Sequence, residues 1–307
     1  MDQSTSPHAS EREETQAERV PERAPRSKMT RLLLAAPALV VLITFLFWYD
    51  TWFGRPLNGQ QMTAALSGET SPRETQHALT LLSERIEEGD PAARRWYPQV
   101  VALAQNKAAE LRLMAAWVMG QDDTSAEFHR TLRGMLSDED PMVRWNVALA
   151  LVRFRDASGE PQLRVMLEPY LLRAPASGAI HFLLKPRKKV TRDAPVAQLL
   201  EGKEKMLVMS PLAGTVGKWE VQEGARVAAG EAIASLRPGN RQVWEALRGL
   251  FLIGGQADLA EVLSYAKGRP GYDTGVREQA RFTADAIERR EGKSKPAPLA
   301  AQDSARR

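Results

Sequence analysis

Few side chains in this chain have the types and spacing that catalysis or metal binding needs. Cysteine is absent, which excludes thiolate nucleophiles, thiolate metal sites and disulfide bonds. Ser177 lacks the glycines two positions away on each side that define a nucleophile turn, and Gly254-Gly255 has no lysine placed to hold phosphate. The four histidines show no metal-ligand spacing: His8, His77, His129 and His181. We therefore expect a chain that is not an enzyme and that holds no metal and no cofactor.

A second group of side chains could bind a partner by charge. Five basic residues lie close together in the sequence: Lys185, Arg187, Lys188, Lys189 and Arg192. They could face anionic headgroups, an acidic protein or a polyanion of the cell envelope, or they could form a solvated turn. The whole chain has 42 basic and 38 acidic residues, and this small net charge of +4 gives no reason to expect a nucleic-acid-binding face.

The basic group lies within a segment that repeats itself. The motif APASG at 174–178 is echoed 36 residues later by SPLAG at 210–214, and alternating apolar residues follow each copy. The two copies differ at the matching turn positions, which hold Arg187 and Asp193 after the first copy and Gly224 and Gly230 after the second. Glycine at such positions indicates tight turns between short strands. The pattern predicts two β units that pack on each other, because either alone would leave an apolar face open to water.

This pair of units resembles the barrel-sandwich hybrid, a flattened β barrel found in biotinyl and lipoyl carrier domains and in bacterial membrane fusion proteins. The resemblance rests on the two (Ala/Ser)-Pro-x-x-Gly starts and on the run EGARVAAGEAIASL at 223–236, and it covers about residues 172–238. In the carrier domains the modified lysine lies in the hairpin between the halves, seven residues before the second motif. Lys203 has this position, with Lys205 beside it, so the resemblance implies Lys203 as a candidate modification site.

On both sides of this segment the apolar residues recur with the helical period of 3.6. A motif written Asp-Pro-x-Val-Arg at Asp140 is matched at Asp90 and Asp273 and, more loosely, at Ala108 and Asn240. At Asp140 the carboxylate can cap a helix start, and the proline fits the first turn. The spacings of 32 and 33 residues, from Ala108 to Asp140 and from Asn240 to Asp273, correspond to one helix pair each. The pattern resembles HEAT repeats, which stack helix pairs into a curved solenoid; an irregular helical domain is the alternative.

Tryptophans are spread through the predicted helices and strands. Most of those in helices occupy positions that face a core, so we expect packing rather than a binding cage. Any that prove exposed are candidate contact residues on the concave face of the solenoid. The five tryptophans of the predicted helices and strands are Trp96, Trp117, Trp145, Trp219 and Trp244.

Near the N-terminus, residues 32–49 form an uncharged apolar run, LLLAAPALVVLITFLFWY. Roughly 20 apolar residues suffice to cross a bilayer as a helix. Basic residues precede the run and Asp50 is the first charge after it, so the positive-inside rule places the N-terminus in the cytoplasm. We therefore expect a single-pass inner-membrane protein whose C-terminal bulk is extracytoplasmic. A cleaved signal peptide is the alternative.

The expected fold class is an α+β multidomain protein with a single transmembrane helix, a HEAT-like α-solenoid and an inserted all-β barrel-sandwich domain. The predicted segments are a disordered tail (1–30), a transmembrane helix (31–53), HEAT-like repeats (60–170), the β domain (172–238), further HEAT-like repeats (240–290) and a second disordered tail (291–307).

The expected function is that of a membrane-anchored, non-catalytic adaptor or scaffold. Its partners would be proteins of the bacterial envelope, such as a transporter or secretion component, and we expect no binding of nucleic acid. Two alternative functions are consistent with some of the same sequence features. One is a lipoyl- or biotin-type carrier subunit modified at Lys203, and the other is an assembly factor for a membrane complex.

Overall fold

The structure is a computed structural model that describes residues 40–41, 44–45 and 57–294. Residues 1–55 form a separate unit, in which Val40, Val41, Thr44 and Phe45 are helical. In the described part of the chain no helix is both long and apolar enough to cross a bilayer. This finding contradicts the transmembrane helix predicted over 31–53 and the single-pass inner-membrane localisation. An apolar composition is necessary for a span, but a span also requires one continuous helix of that length.

Much of the evidence that the sequence offered for a membrane anchor falls outside the described residues. This holds for most of the predicted span over 31–53 and for the tail over 1–30. At the other end, the last described helix runs to Ser294, four residues into the predicted C-terminal tail, and the remainder of that tail also lies outside the described residues.

Ten α-helices are described between residues 57 and 294: α1 (Gly59–Leu66), α2 (Pro72–Glu87), α3 (Tyr97–Leu103), α4 (Ala109–Met119), α5 (Ala126–Gly134), α6 (Pro141–Arg153), α7 (Glu160–Leu167), α8 (Asn240–Ile253), α9 (Leu259–Ala266) and α10 (Thr274–Ser294). Consecutive helices pack as pairs, α1 with α2 through to α9 with α10, and the second helices of the pairs also pack on one another in order, forming a row of α2, α4, α6, α8 and α10.

The repeated Asp-Pro-x-Val-Arg motif marks the starts of α4, α6, α8 and α10, whereas α2 begins at Pro72 after the cap Ser71. Asp140 caps α6 by accepting hydrogen bonds from the backbone N–H groups of Met142 and Val143 at 2.7 and 3.3 Å. Asp273 caps α10 in the same way. The copy at Asp90 departs from the pattern, because it caps a short 3-10 turn that leads into α3, the first helix of its pair.

Eight strands lie between α7 and α8, within residues 168–239, which we call the insert: β1 (Tyr170–Arg173), β2 (Gly178–Phe182), β3 (Lys189–Val190), β4 (Pro195–Glu201), β5 (Glu204–Met209), β6 (Gly214–Trp219), β7 (Arg226–Val227) and β8 (Ala232–Pro238). The insert enters and leaves side by side, because β1 and β8 pair in antiparallel fashion. It therefore interrupts the turn of one helix pair.

The strands form two four-stranded sheets, ordered β1-β8-β6-β3 and β5-β4-β2-β7. The predicted closed barrel is therefore wrong, and with it the fold class in its full form. Closure would need ladder hydrogen bonds between the edge strands of the two sheets, and the described edges do not pair across. Two of these edge strands, β3 and β7, are only 2 residues long and offer little backbone for such a ladder. The molecule is a mixed helix and sheet protein.

Two apolar clusters hold the described elements together. The first is wholly helical and runs from Met62 to Leu151. The second runs from Trp145 to Ile287 and includes residues of the helices and of the insert. Helix α6 contributes to both, since Val147 belongs to the first cluster and Ala148 to the second. The insert is thus continuous with the apolar interior of the C-terminal helices.

Candidate functional site

The structure separates the residues singled out for chemistry. Lys203 is exposed in the turn that joins β4 to β5, where Gly202 has a φ of 60°. His129 on α5 lies 2.6 Å from Asp156, and His181 on β2 lies 3.0 Å from Glu223. Neither histidine is in the turn that holds Lys203. Across residues 57–294 and the four described N-terminal residues, no three acidic or histidine side chains converge as a metal site would require.

The tryptophans fall into two groups. Trp96 and Trp145 are buried in the helical cores, and Trp219 stacks on Phe182 in the insert with 3.8 Å between ring centroids. Trp117 on α4 and Trp244 on α8 are instead 39% and 36% exposed. Both belong to the row of second helices. These two are therefore the exposed aromatic residues that the sequence marked as candidate contacts.

A groove runs across the row beside Trp117. It consists of two adjoining hollows of about 290 and 230 Å³ that share Leu149, Arg153 and Glu245. Trp117 lies at the α4 end and Leu252, which is 53% exposed, lies at the α8 end. We call this surface the α4–α6–α8 groove. Trp117 and Leu252 expose apolar surface at its two ends, and such exposed apolar surface is a common property of protein-binding sites.

Close helix packing forms the floor of the groove. A β-carbon at Gly120 would lie 2.9 Å from the Ala150 β-carbon, so glycine lets the end of α4 approach α6. A β-carbon at Gly249 would lie 2.7 Å from Leu163, so glycine also lets α8 approach α7. The groove is therefore shaped by backbone approach and does not depend on flexible loops.

The rim of the groove carries a surplus of positive charge. Arg241 pairs with Glu245 at 2.9 Å, and the hydrogen bond from this pairing raises the pKa of Arg241. Arg153 donates to the Gln121 amide oxygen at 2.9 Å, and Arg248 lies over the Trp244 ring at 5.0 Å from its centroid. Neither Arg153 nor Arg248 forms an ion pair with an acid of the described residues. The rim thus favours a ligand that brings negative charge.

The motif arginines hold neighbouring helix pairs in a fixed relation. Arg112 donates to both carboxylate oxygens of Asp138, at 2.7 and 2.8 Å, and both side chains are buried. Burial by itself raises the pKa of Asp138, but the hydrogen bonds from Arg112 and from the Asp140 backbone outweigh it, and the pKa lies below its ordinary value. The α4 and α6 sides of the groove are thereby locked together.

Sequence reasoning found Trp117 and Trp244 as aromatic residues but did not find the groove. Leu149 and Leu252 approach the same surface only because the insert returns the chain to the helix pair that it left. The available signal was the spacing of the motif starts, which places α4, α6 and α8 in one row.

Comparison with known families and structures supports the helical part of this picture. Residues 97–178, from α3 to the start of β2, match the family of HEAT repeats. This match and the paired helices confirm a HEAT-like repeat region, while the bounds 60–170 and 240–290 stay predictions. No curated protein matches the chain.

Solved structures add little. One that matches is described as a single-chain, multi-domain long-chain acyl-CoA carboxylase, at 17% identity and a TM-score of 0.22. The alignment covers 55% of this chain and 16% of that protein, and so low a TM-score carries no structural argument.

Proposed function

We propose that this chain is a non-catalytic scaffold that binds a protein partner in the α4–α6–α8 groove. The observation that carries this proposal is a run of apolar side chains across three stacked HEAT-like helices: the exposed Trp117 and Leu252 and, between them, the partly buried Leu149. HEAT-like arrays offer extended surfaces of this kind, on which a partner chain is bound by several helices at once. A scaffold role is what the HEAT-repeat match supports.

The rim indicates the chemistry of the partner. Arg153 and Arg248 lie beside apolar positions and have no described acid to pair with. A segment with one or two large apolar side chains flanked by Asp or Glu would bury its apolar residues in the groove and place its carboxylates on the rim. Tryptophan and arginine are also the residue types that most often dominate binding energy.

Photo-crosslinking in the native host tests the proposal. A crosslinking amino acid at Trp117 or Leu252 should capture a discrete partner, which mass spectrometry identifies. The matched control carries the same crosslinking amino acid in place of Arg130, which is exposed on α5, a first helix of its pair. With the purified partner, Trp117→Ala and Leu252→Ala should each weaken binding by about tenfold or more. Both side chains are partly exposed, so the fold should survive these changes.

Two results would overturn the scaffold proposal. One is equal capture of the same protein from Arg130 together with unchanged affinity in both alanine variants. The other is an added mass on the intact native protein that disappears in Lys203→Arg, since a modified hairpin lysine would indicate a carrier subunit.

A further inference from the structure

A rigid basic loop on the insert forms a second surface, distinct from the groove. Residues 183–188 connect β2 to β3, and we call residues 185–189, which end at the first residue of β3, the 185–189 loop. The Arg187 backbone N–H donates to the Val216 carbonyl at 2.7 Å, and the Val216 N–H donates to the Lys188 carbonyl at 2.9 Å. The Trp219 indole donates to the Leu184 carbonyl at 3.2 Å. Because both ends of the loop are tied to β6, its shape is fixed before any ligand arrives.

The loop concentrates positive charge that the described protein does not neutralise. Its four cationic side chains are exposed, and none forms an ion pair with an acid of the described residues: Lys185, Arg187, Lys188 and Lys189. Arg192, the fifth member of the predicted cluster, behaves differently. It points back to the helices, where it pairs with Asp140 at 2.9 Å. Arg192 thus attaches the insert to the helices, whereas the other four side chains form no ion pair within the described residues.

The surroundings of the loop limit what it can bind. Leu183, at its base, is 45% exposed and supplies an apolar contact. Acidic residues border the patch: Glu220 pairs with Lys218 at 2.9 Å, and Glu223 accepts from the Phe182 backbone N–H at 2.8 Å. Phe182 and Trp219 are stacked on each other, so one face of each ring is already covered. A long polyanion would meet these acids, whereas a short run of negative charge would not.

We propose that the 185–189 loop binds a short acidic segment of a partner protein, with Leu183 packing against an apolar residue of that segment. The positive patch attracts carboxylates, and the fixed loop loses little conformational entropy when they bind. The left-handed conformation of Arg187, with a φ of 69°, turns the chain so that neighbouring cations project from one bend. This proposal is independent of the α4–α6–α8 groove and can stand or fall separately.

Fluorescence anisotropy with the full chain tests it. The probe is a labelled peptide of about eight residues in which Asp and Glu surround one leucine. The triple variant Lys185→Glu, Lys188→Glu and Lys189→Glu should weaken binding by about tenfold or more, because each rim charge contributes modestly and the three act together. The matched control is Lys203→Glu, Lys205→Glu and Lys267→Glu, three exposed lysines elsewhere. It changes the net charge equally and should alter affinity by less than about threefold.

Further arms separate the alternatives. Replacing the probe leucine by serine should weaken binding by about fivefold, through loss of the contact with Leu183. The neutral variant Lys185→Gln, Lys188→Gln and Lys189→Gln should show an intermediate loss, and unchanged thermal melting would show that the variants remain folded. The proposal is overturned by equal losses in the loop and control variants, by absence of saturable binding, or by tighter binding of a dT oligonucleotide than of the peptide.

Discussion

In the helical part of the chain, the motif arginines repeat one set of contacts. Arg112 donates to the carbonyls of Asn106 and Lys107 at 3.0 and 3.2 Å, and Arg144 donates to those of Asp138 and Glu139 at 2.6 and 3.0 Å. In the insert, the two copies share no such side chain. They share backbone positions, where the residue types differ but the conformation is kept.

The turns of the insert show this most clearly. Gly224 and Gly230 have φ values of 77° and 81°, as their residue type predicts. Arg187 and Asp193, at the matching places of the first copy, have φ values of 69° and 59°. Left-handed conformation in residues with a β-carbon costs about 1 kcal/mol. At these two turns the strand repeat thus keeps its backbone geometry with different residues, whereas the helical repeat depends on the identity of a side chain.

The largest expected effect is in the helical repeat. Arg112→Met should lower the free energy of unfolding by about 3–5 kcal/mol, because it leaves the buried Asp138 carboxylate without its partner. Arg144→Met removes hydrogen bonds to carbonyls without stranding a buried charge and should cost about 1 kcal/mol. Urea unfolding of both variants measures the difference. Equal losses would mean that the Arg112–Asp138 pair has no special role.

The same pair makes a prediction about pH. The pKa of Asp138 is lowered in the folded protein, so its stabilising contribution is full above the ordinary carboxyl pKa of about 4 and is lost as the pH falls through the folded value. In Arg112→Met, we expect burial to dominate and to raise the pKa of Asp138. Protonation at low pH then removes the unpaired buried charge and reduces the destabilisation of the variant. The stability gap between wild type and Arg112→Met should therefore narrow from about pH 7 to about pH 3. A gap that stays constant in urea unfolding across this range would contradict the assignment.

In the strand repeat the largest effect is expected at Gly214. A β-carbon there would lie 2.6 Å from the Arg237 carbonyl oxygen, against 3.0 Å from the Leu200 carbonyl at the matching Gly178. Gly214→Ala should cost about 2–3 kcal/mol because backbone must move. Gly178→Ala should cost about 1–2 kcal/mol, because its contact is looser but its φ of 158° strains any residue with a β-carbon. Thermal melting of the two variants gives the order, and the reverse order would show that the two motif copies are not held by these contacts.

A smaller loss is expected at Gly224, where no atom lies within 4 Å of an added β-carbon. Gly224→Ala should therefore cost only the strain of the left-handed turn, about 1 kcal/mol. The control is Gly239→Ala, which also has open space but no positive φ. If both variants melt at the same temperature, conformational strain does not decide this turn.

The smallest effect should have the opposite sign. Asp193→Gly relieves the left-handed strain in the first copy and should raise stability by about 0.5 kcal/mol, after the entropy that glycine gains in the unfolded chain is subtracted. Its backbone N–H bond to the Ser210 carbonyl at 2.7 Å is unaffected. A destabilised variant in urea unfolding would show that the Asp193 side chain contributes more than its conformation costs.

Several elements could be predicted because their causes are local. Asp140-Pro141 begins a helix because the Asp140 carboxylate and the fixed φ of Pro141 both act within the first turn. Gly224 and Gly230 form turns because, without a β-carbon, glycine adopts a positive φ at little cost. The membrane span could not be judged in this way. Composition gave its length, but composition does not show whether a continuous helix forms.

The sequence by itself determined where helices and turns begin, how often they repeat and which tryptophans could bind, because these depend on contacts between near neighbours in the chain. Only the tertiary structure decided that the strands form two separate sheets, that Arg192 turns inward to Asp140, and that Leu149 and Leu252 share one groove. These outcomes join residues that the insert separates, and their free energy depends on which distant surfaces meet.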